Sequence, residues 1–239
     1  PQQASKVLLR ALRNKERTDL GDTRPLLVQS DFDDTITVGN VSTIIREAFA
    51  APEWREMEKE LYAGKYIVEQ SNVRQFALVR ASRDEILGAR VEVRPGFVEF
   101  VRYCESEDIR FVVVSSGLDL YVEPTMRRMG LAHVEAHSAA TAFTHNGVRV
   151  SYTGPNGGPI ANGFKDSFAR HFKSQGYTTF YIGDGLSDVG PAGHADHVVA
   201  RSWLESDYQA RGLPYHLFRD FHDVRRHVEA VRGEASGTP

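Results

Sequence analysis

The sequence predicts an α/β fold: a doubly wound, Rossmann-like parallel sheet with helices on both faces and a small all-helical segment inserted after the first strand. Three observations carry this. Short β-rich runs alternate with amphipathic helical patterns from about residue 94 onward, as in a sheet built from strand–helix–strand units. Two of those runs, Pro25-Leu26-Leu27-Val28-Gln29 and Thr178-Thr179-Phe180-Tyr181-Ile182, end in aspartates, and open parallel sheets bind ligands at the carboxyl ends of their strands. Between the first strand and the next, residues 40–90 keep helical spacing without a strand-like run.

Taken in order, residues 4–16 place Val7, Leu8, Ala11 and Leu12 on one side of a basic amphipathic helix, so 1–24 reads as a helical arm packing on the body. The first strand then delivers Ser30-Asp31-Phe32-Asp33-Asp34-Thr35. In the insert, 38–92, Val41, Ile44, Ile45, Ala48 and Phe49 recur at helical spacing. Pro52 suits a first helical turn, and Ser82-Arg83-Asp84-Glu85 has the form of a capping box. Arg94-Pro95-Gly96-Phe97 opens a helix that runs to Glu107, followed by a strand at 109–115, a helix at 118–129 closed by Gly130, and a strand at 133–138. Asn146-Gly147 between alternating apolar residues marks a hairpin, and 154–163 is a loop rich in Gly and Pro. Helix 164–174, strand 178–182, helix 187–193, strand 196–200 and helices 203–211 and 219–231 complete the pattern. The core domain is therefore 25–37 with 93–232, and 233–239 reads as a disordered tail.

Composition narrows the function. A chain of 239 residues, 41% hydrophobic and 26% charged, suits one core domain with an insert. A formal net charge of -3 gives no basic footprint for nucleic acid. The single Cys104 excludes an internal disulfide and a multi-cysteine metal site, and its spacing with Phe97, Phe100 and Val101 puts it on a buried helix face. No apolar stretch approaches the ~20 residues of a membrane span, and Lys6-Val7-Leu8-Leu9-Arg10 is too short for a signal-peptide core. A cytoplasmic protein is expected, with neither membrane nor nucleic acid as partner; a monomer and a homodimer both fit.

The chemistry lies in the acidic clusters. Asp31, Asp33 and Asp34 repel one another unless a cation neutralises them, and hard carboxylate oxygens without nearby Cys or His suit Mg²⁺. Gly183-Asp184-Gly185-Leu186-Ser187-Asp188 follows a second strand, so two strand ends can share one metal site. The run Arg110-Phe111-Val112-Val113-Val114 ends in Ser115-Ser116-Gly117 before a helix, a pattern whose exposed N–H groups hold phosphate. Lys165, just inside a helix, supplies a compensating ammonium. Asp34 reads as a turn or capping residue rather than a third catalytic carboxylate.

In this order and on these elements, Asp31-x-Asp33-x-Thr35, Ser115, Lys165 and Gly183-Asp184-x-x-x-Asp188 resemble the four motifs of the haloacid dehalogenase superfamily. The helical insert resembles the small-cap subgroup that contains phosphoserine phosphatases. Ala51-Pro52-Glu53-Trp54, Arg94-Pro95-Gly96-Phe97, Ser116-Gly117-Leu118-Asp119 and the second acidic cluster resemble bacterial methionine-salvage phosphatases, which act on a 2-hydroxy-3-keto-5-methylthiopentenyl 1-phosphate. Two departures stand out: 154–159 lacks the cysteines that some of these carry before the motif lysine, and Asp34 replaces a frequent glycine.

The resemblance implies a phosphatase of a small phosphorylated metabolite. Asp31 would be the nucleophile, forming an aspartyl-phosphate, and Asp33 the general acid and base. Mg²⁺ would be held by Asp31, Asp33, Asp184 and Asp188, and phosphate by Ser115, the N–H groups of Ser116 and Gly117, and Lys165. The insert would act as a lid hinged at Val38-Gly39 and Arg94-Pro95, with Asn40 and Trp54 as candidate substrate residues. Phosphoserine, phosphocholine and phosphoethanolamine phosphatases share this chemistry. A phosphotransferase differs only in its acceptor, and a non-catalytic binding module would need a broken motif, which the sequence does not have.

Overall fold

The computed structural model describes residues 24–88 and 91–236. The helix expected at 4–16, and the arm as far as residue 23, lie outside the described residues.

The chain opens with β1 (Leu26–Ser30) and the short β2 (Thr37–Val38), then enters four helices: α1 (Val41–Phe49), α2 (Trp54–Tyr62), α3 (Val68–Phe76) and α4 (Arg83–Leu87). It returns through β3 (Glu92–Val93) into α5 (Phe97–Ser106), β4 (Arg110–Leu118), α6 (Asp119–Arg128), β5 (Glu135–Thr144), β6 (Gly147–Thr153) and β7 (Pro159–Ile160). Then come α7 (Phe164–Ser174), β8 (Thr178–Gly183), a 3₁₀ turn at Leu186–Asp188, α8 (Val189–Ala192), β9 (His197–Ala200), α9 (Ser202–Ala210), β10 (His216–Leu217) and α10 (Phe221–Ser236).

Eight strands form one sheet in the order β10-β9-β8-β1-β4-β5-β6-β7. Every pairing from β10 to β5 is parallel; β5–β6 and β6–β7 are antiparallel. The predicted doubly wound sheet is present, with an antiparallel extension at one edge. Central β1 is covered on both faces, so Leu27 and Val28 are fully buried and even Gln29 and Ser30 are out of solvent. Neighbouring residues of β4 show which helices cover which face. Phe111 meets Phe97 and Phe100 of α5 edge-on, and both rings touch Phe221 of α10. The Arg110 guanidinium lies 5.0 Å over Phe172 of α7. Successive strand residues point to opposite faces, so α5 and α10 cover one side and α7 the other.

The four helices 41–87 leave and rejoin the sheet through one antiparallel ribbon, in which Thr37 pairs with Val93 and Val38 with Glu92. Their own core gathers Ile45, Phe76, Val79 and Ile86, and the predicted capping box closes α4: Ser82 Oγ accepts from Glu85 N, and the Glu85 carboxylate accepts from Ser82 N. Helix α3 packs on β6 of the core.

Three expectations change. The helix placed at 187–193 is a 3₁₀ turn followed by the four-residue α8. The final helix does not stop at 231: α10 runs to Ser236, so 233–236 is helical rather than tail, and 237–239 lies outside the described residues. Glu234 and Ala235 are good helix formers, and a single Gly233 weakens a helix by only about 1 kcal/mol. The short strands β2, β3, β7 and β10 were not predicted, since two-residue ladders leave no periodicity to read. Among the described residues no helix is long and apolar enough to cross a membrane.

At the tip of the β5–β6 hairpin, Gly147 has φ +119°, and a Cβ there would overlap the Ala77 carbonyl oxygen just after α3. Gly147→Ala is expected to lower the unfolding free energy by about 3 kcal/mol, combining backbone strain of ~1–3 kcal/mol with displacement of a neighbouring peptide. Urea denaturation measures it; an unchanged midpoint would show that the hairpin tip does not bear on the insert.

Candidate active site

Asp31 follows β1 directly, and its N–H donates to Ile182 O at 2.9 Å, carrying the β1–β8 pairing one step past the strand. The two acidic clusters are therefore held at adjacent strand ends. Carboxylate oxygens of Asp31, Asp184 and Asp188 lie within 4.8 Å of one another. Lys165, in the first turn of α7, enters between them: its Nζ stands 2.7 Å from Asp31 Oδ1 and 2.7 Å from Asp188 Oδ1, and donates to Ser187 Oγ at 2.8 Å.

Asp188 is fully buried and fully engaged. Its Oδ1 also accepts from Tyr181 Oη at 2.5 Å, and its Oδ2 accepts the N–H groups of Asp184 and Gly185 at 3.0 and 2.8 Å. It thereby orders the turn that presents Asp184, whose Oδ1 accepts from Thr35 Oγ1 at 2.8 Å. Burial, then the charge of Asp188, raises the Asp31 carboxyl well above the usual range. The same two causes push Asp184 up to about 7. Burial alone would lower Lys165, but Asp188 and Asp31 outweigh it and hold the ammonium charged. With all three carboxylates ionised, one ammonium leaves two negative charges unbalanced. A hard divalent cation fits this all-oxygen donor set.

Asp34 sits in the left-handed region at φ +58°, which explains why glycine suits this position and why a short polar residue is tolerated. Its carbonyl accepts from Arg94 Nη2 at 2.8 Å and Arg201 Nη1 at 3.3 Å, and its carboxylate accepts from Gly39 N. The turn role expected for Asp34 is the one its contacts describe.

Ser115, Ser116 and Gly117 stand in the last part of β4, not at the helix N-terminus that the sequence suggested; α6 begins only at Asp119. The pairs Val114–His137 and Leu118–Ala139 show why: β4 takes four residue steps where β5 takes two. This bulge lifts the three residues out of the ladder. Gly117 N donates to Ser115 Oγ at 3.0 Å, while the buried Ser116 hydroxyl has no hydrogen-bond partner among the described residues. Lys165, the other residue expected to hold phosphate, lies against Asp31 and Asp188.

Asp33 is buried beside them. Its Oδ1 accepts from Val41 N at 2.9 Å and its Oδ2 from Tyr121 Oη at 2.5 Å. Burial raises the Asp33 carboxyl against the pull of these two hydrogen bonds. The Tyr121 phenol, buried next to that carboxyl, is raised and stays neutral.

The insert reaches the site through residues that the sequence reading passed over. Asn72 Nδ2 donates to Ser116 O at 2.9 Å, as does Tyr152 Oη at 2.8 Å. Glu69 Oε1 accepts from Phe164 N at 2.7 Å, capping the helix that carries Lys165, whose own N-cap Gly163 has no side chain. Ser42 Oγ lies 2.7 Å from Tyr121 Oη. The available signal was a polar one: α3 buries Glu69, Ser71, Asn72 and Gln75, an unusual stripe for a helix face. The contacts of Asn40 and Trp54 lie within the insert. The Asn40 side chain caps α1 by accepting from Thr43 N, because the first turn of a helix leaves its N–H groups unpaired. Trp54 is buried between the guanidinium groups of Arg46 and Arg55. Cys104 is buried at the core and its thiol is pushed up to about 12, far from a nucleophile.

The family model for haloacid dehalogenase-like hydrolases matches residues 28–192. A 2-hydroxy-3-keto-5-methylthiopentenyl-1-phosphate phosphatase of Brevibacillus brevis is 33% identical over 89% of this chain and 99% of its own length. A protein of the same description from Geobacillus kaustophilus is 32% identical over 84% of this chain and 94% of its own. Among solved structures, a phospho-aspartyl intermediate analogue of phosphoserine phosphatase superposes with a TM-score of 0.66 at 20% identity, covering 86% of this chain and 99% of that one. That likeness concerns the fold. With motif, fold and near-full-length relatives in agreement, this chain belongs to the haloacid dehalogenase-like hydrolases and is a phosphatase.

Proposed function

We propose that the chain is a Mg²⁺-dependent phosphomonoesterase of a small metabolite that works through an aspartyl-phosphate on Asp31. The observation that carries the reading is the Asp31 carboxylate at the end of the central strand, 2.7 Å from a buried ammonium and within 4.8 Å of Asp184 and Asp188. In this reading an Asp31 oxygen attacks phosphorus in line, and the leaving oxygen departs with a proton from Asp33. Water then attacks the phosphorus of the acyl phosphate, and Asp33 takes the proton that water gives up. Magnesium would be held by Asp31 and Asp184 with the main-chain carbonyl of Asp33, while Asp188, fully engaged, orients the turn that presents Asp184. The ion would supply the charge that keeps Asp31 ionised beside an anionic substrate. Lys165 keeps Asp31 and Asp188 apart in orientation while lowering their mutual repulsion. The hydroxyls of Ser115 and Ser116 are the groups of the bulged loop best suited to phosphate oxygens, Ser116 having no other partner.

The substrate proposed is the enol-phosphate named for the relatives, 2-hydroxy-3-keto-5-methylthiopentenyl 1-phosphate. It is supported by relatives matched over almost their whole length, insert included. The structures of phosphoserine phosphatases support the shared fold and do not select a leaving group.

Release of inorganic phosphate from a panel that includes this enol-phosphate, phosphoserine, phosphocholine and phosphoethanolamine tests the reading, with alcohols added to detect transfer. Asp31→Asn is expected to cut turnover by about three orders of magnitude or more without unfolding the protein, as removal of a nucleophile does elsewhere. A folded Asp31→Asn protein with near-parental turnover would end the mechanism. Asp33→Asn should lose most with alkyl phosphates and least with an activated aryl phosphate, which departs without protonation. Chelator should abolish activity and calcium should inhibit, because its larger shell of 6–8 ligands disturbs the in-line geometry; full turnover in metal-free buffer would remove the cation from the reading.

A further inference from the structure

We infer that Tyr121 and Ser42 are positioning residues for Asp33, making the proton donor competent only while α1 of the insert is seated on the core. This rests on Asp33 as the donor, as proposed above.

The geometry begins at the carboxyl group. A free aspartate flips about its Cβ–Cγ bond and exchanges its two oxygens. Asp33 is held at both: Oδ1 by Val41 N at 2.9 Å and Oδ2 by Tyr121 Oη at 2.5 Å. A carboxylate oxygen has two acceptor positions. With one position of each oxygen taken, Oδ2 by the phenol and Oδ1 by the amide, the carboxyl cannot exchange its oxygens and presents the remaining positions in fixed directions. When its proton leaves with the substrate oxygen, Asp33 becomes a carboxylate and both hydrogen bonds strengthen. No proton needs to leave Tyr121, whose phenol is neutral throughout.

One restraint belongs to the insert, and the other, on α6 of the core, is braced by it. Val41 is the first residue of α1, and its N–H is among the orphan donors of that helix end. Ser42, the second residue, touches Tyr121 at 2.7 Å and so fixes the phenolic oxygen from the insert side. Shifting α1 away would remove the Val41 hydrogen bond and the Ser42 anchor together. Asp33 would then keep only the hydrogen bond from Tyr121 of the core, itself no longer anchored, and water would reach it.

The bulged loop is fitted to the same contact. A Cβ on Gly117 would overlap the Tyr121 hydroxyl and stand 2.6 Å from Asp33 Oδ2. Glycine is needed at 117 to let phenol and carboxyl meet. This gives Gly117 a role apart from its N–H, which already donates to Ser115 Oγ. Phosphate loop, proton donor and insert thus converge on the Tyr121 oxygen, which is buried and has both of its partners satisfied.

A positioning role has a signature that a general structural role lacks. Tyr121→Phe keeps the ring and removes only the hydroxyl. It is expected to lower kcat for an alkyl phosphate by about 10- to 100-fold, the range caused by misplacing a reacting group, and to change turnover of an activated aryl phosphate by less than about 3-fold. KM for both should stay within about 2-fold, since the hydroxyl holds the donor rather than the substrate. Ser42→Ala should show the same pattern in weaker form, and Ser42→Thr, which keeps the hydroxyl, should restore it. A double-mutant cycle decides between roles. With Asp33→Asn already present, Tyr121→Phe should have almost no further effect on the alkyl substrate, because the group it positions has gone. Additive losses in the cycle, or equal losses for both substrates, would overturn the inference. So would a Tyr121→Phe protein with parental turnover. Failure of the underlying reading looks different: the parental enzyme would then lack the alkyl-against-aryl contrast on Asp33→Asn alone, and both would fall.

Discussion

The structure depends on one buried ammonium. Lys165 enters between Asp31 and Asp188, and without it three carboxylates within 4.8 Å would face one another in a site closed to water. Two like charges 4 Å apart repel by about 4 kcal/mol at an effective dielectric near 20, so three such contacts would rival the stability of a whole domain. Burial first, and then repulsion from Asp188 that one cation does not fully offset, push Asp31 and Asp184 upward even with Lys165 in place. The fold tolerates the imbalance because strand ends, not side-chain preference, fix the positions. Asp31 and Asp184 follow adjacent parallel strands, and Asp188 is locked by Tyr181 and two main-chain N–H groups. Rigid placement of repelling groups makes a site that a divalent cation and an anionic substrate can complete together.

Much of this was legible because it is local in sequence. An apolar run that ends in aspartate announces a buried strand and its charged end in a few residues, and Pro25–Thr35 and Thr178–Asp188 both do so. Helices with a clean apolar stripe, such as 164–174, matched to the residue. What escaped was set by register and by distance. Nothing in Ser115-Ser116-Gly117 reveals that β4 takes two more steps than β5 there, because a bulge is a property of the pair of strands. The Tyr121–Asp33 hydrogen bond joins residues 88 positions apart, and that of Asn72 with Ser116 spans 44. The contacts of Asn40 and Trp54 were not legible either: Asn40 caps α1 and Trp54 is buried against two guanidinium groups. A better guide was polarity in the wrong place: Glu69 and Asn72 on the inner face of α3 are buried because they bond to groups across the seam.

Hydrogen bonds run through that seam beside apolar contact, for Val41, Ile45, Phe76, Val79 and Ile86 belong to one hydrophobic cluster with the core. Glu69 reaches Phe164 N, Asn72 reaches Ser116 O and Tyr152 Oη, and Ser42 reaches Tyr121 Oη. A hydrogen bond exchanged for one to water costs only about 0.5–1.5 kcal/mol net, whereas exposing a packed apolar face costs roughly 25 cal/mol per Å². Both ends of the insert are tied to one short ribbon between Thr37–Val38 and Glu92–Val93, and moving the insert off the core would expose apolar surface as well as break these hydrogen bonds.

The position of the polar contacts also matters for chemistry. Each one lands next to a group of the acidic site: Phe164 precedes Lys165, Ser116 belongs to the bulged loop, and Tyr121 holds Asp33. In the reading proposed above, a lid that only shed water could rest anywhere on the rim, whereas one whose contacts end on the neighbours of Lys165, the bulged loop and Asp33 would set all three into register in the same movement. The core would then provide charge and attack, which are indifferent to the leaving group, and the insert would provide alignment. Specificity would reside less in a single recognition residue than in whether the bound molecule lets Val41 and Ser42 close on Asp33 and Tyr121.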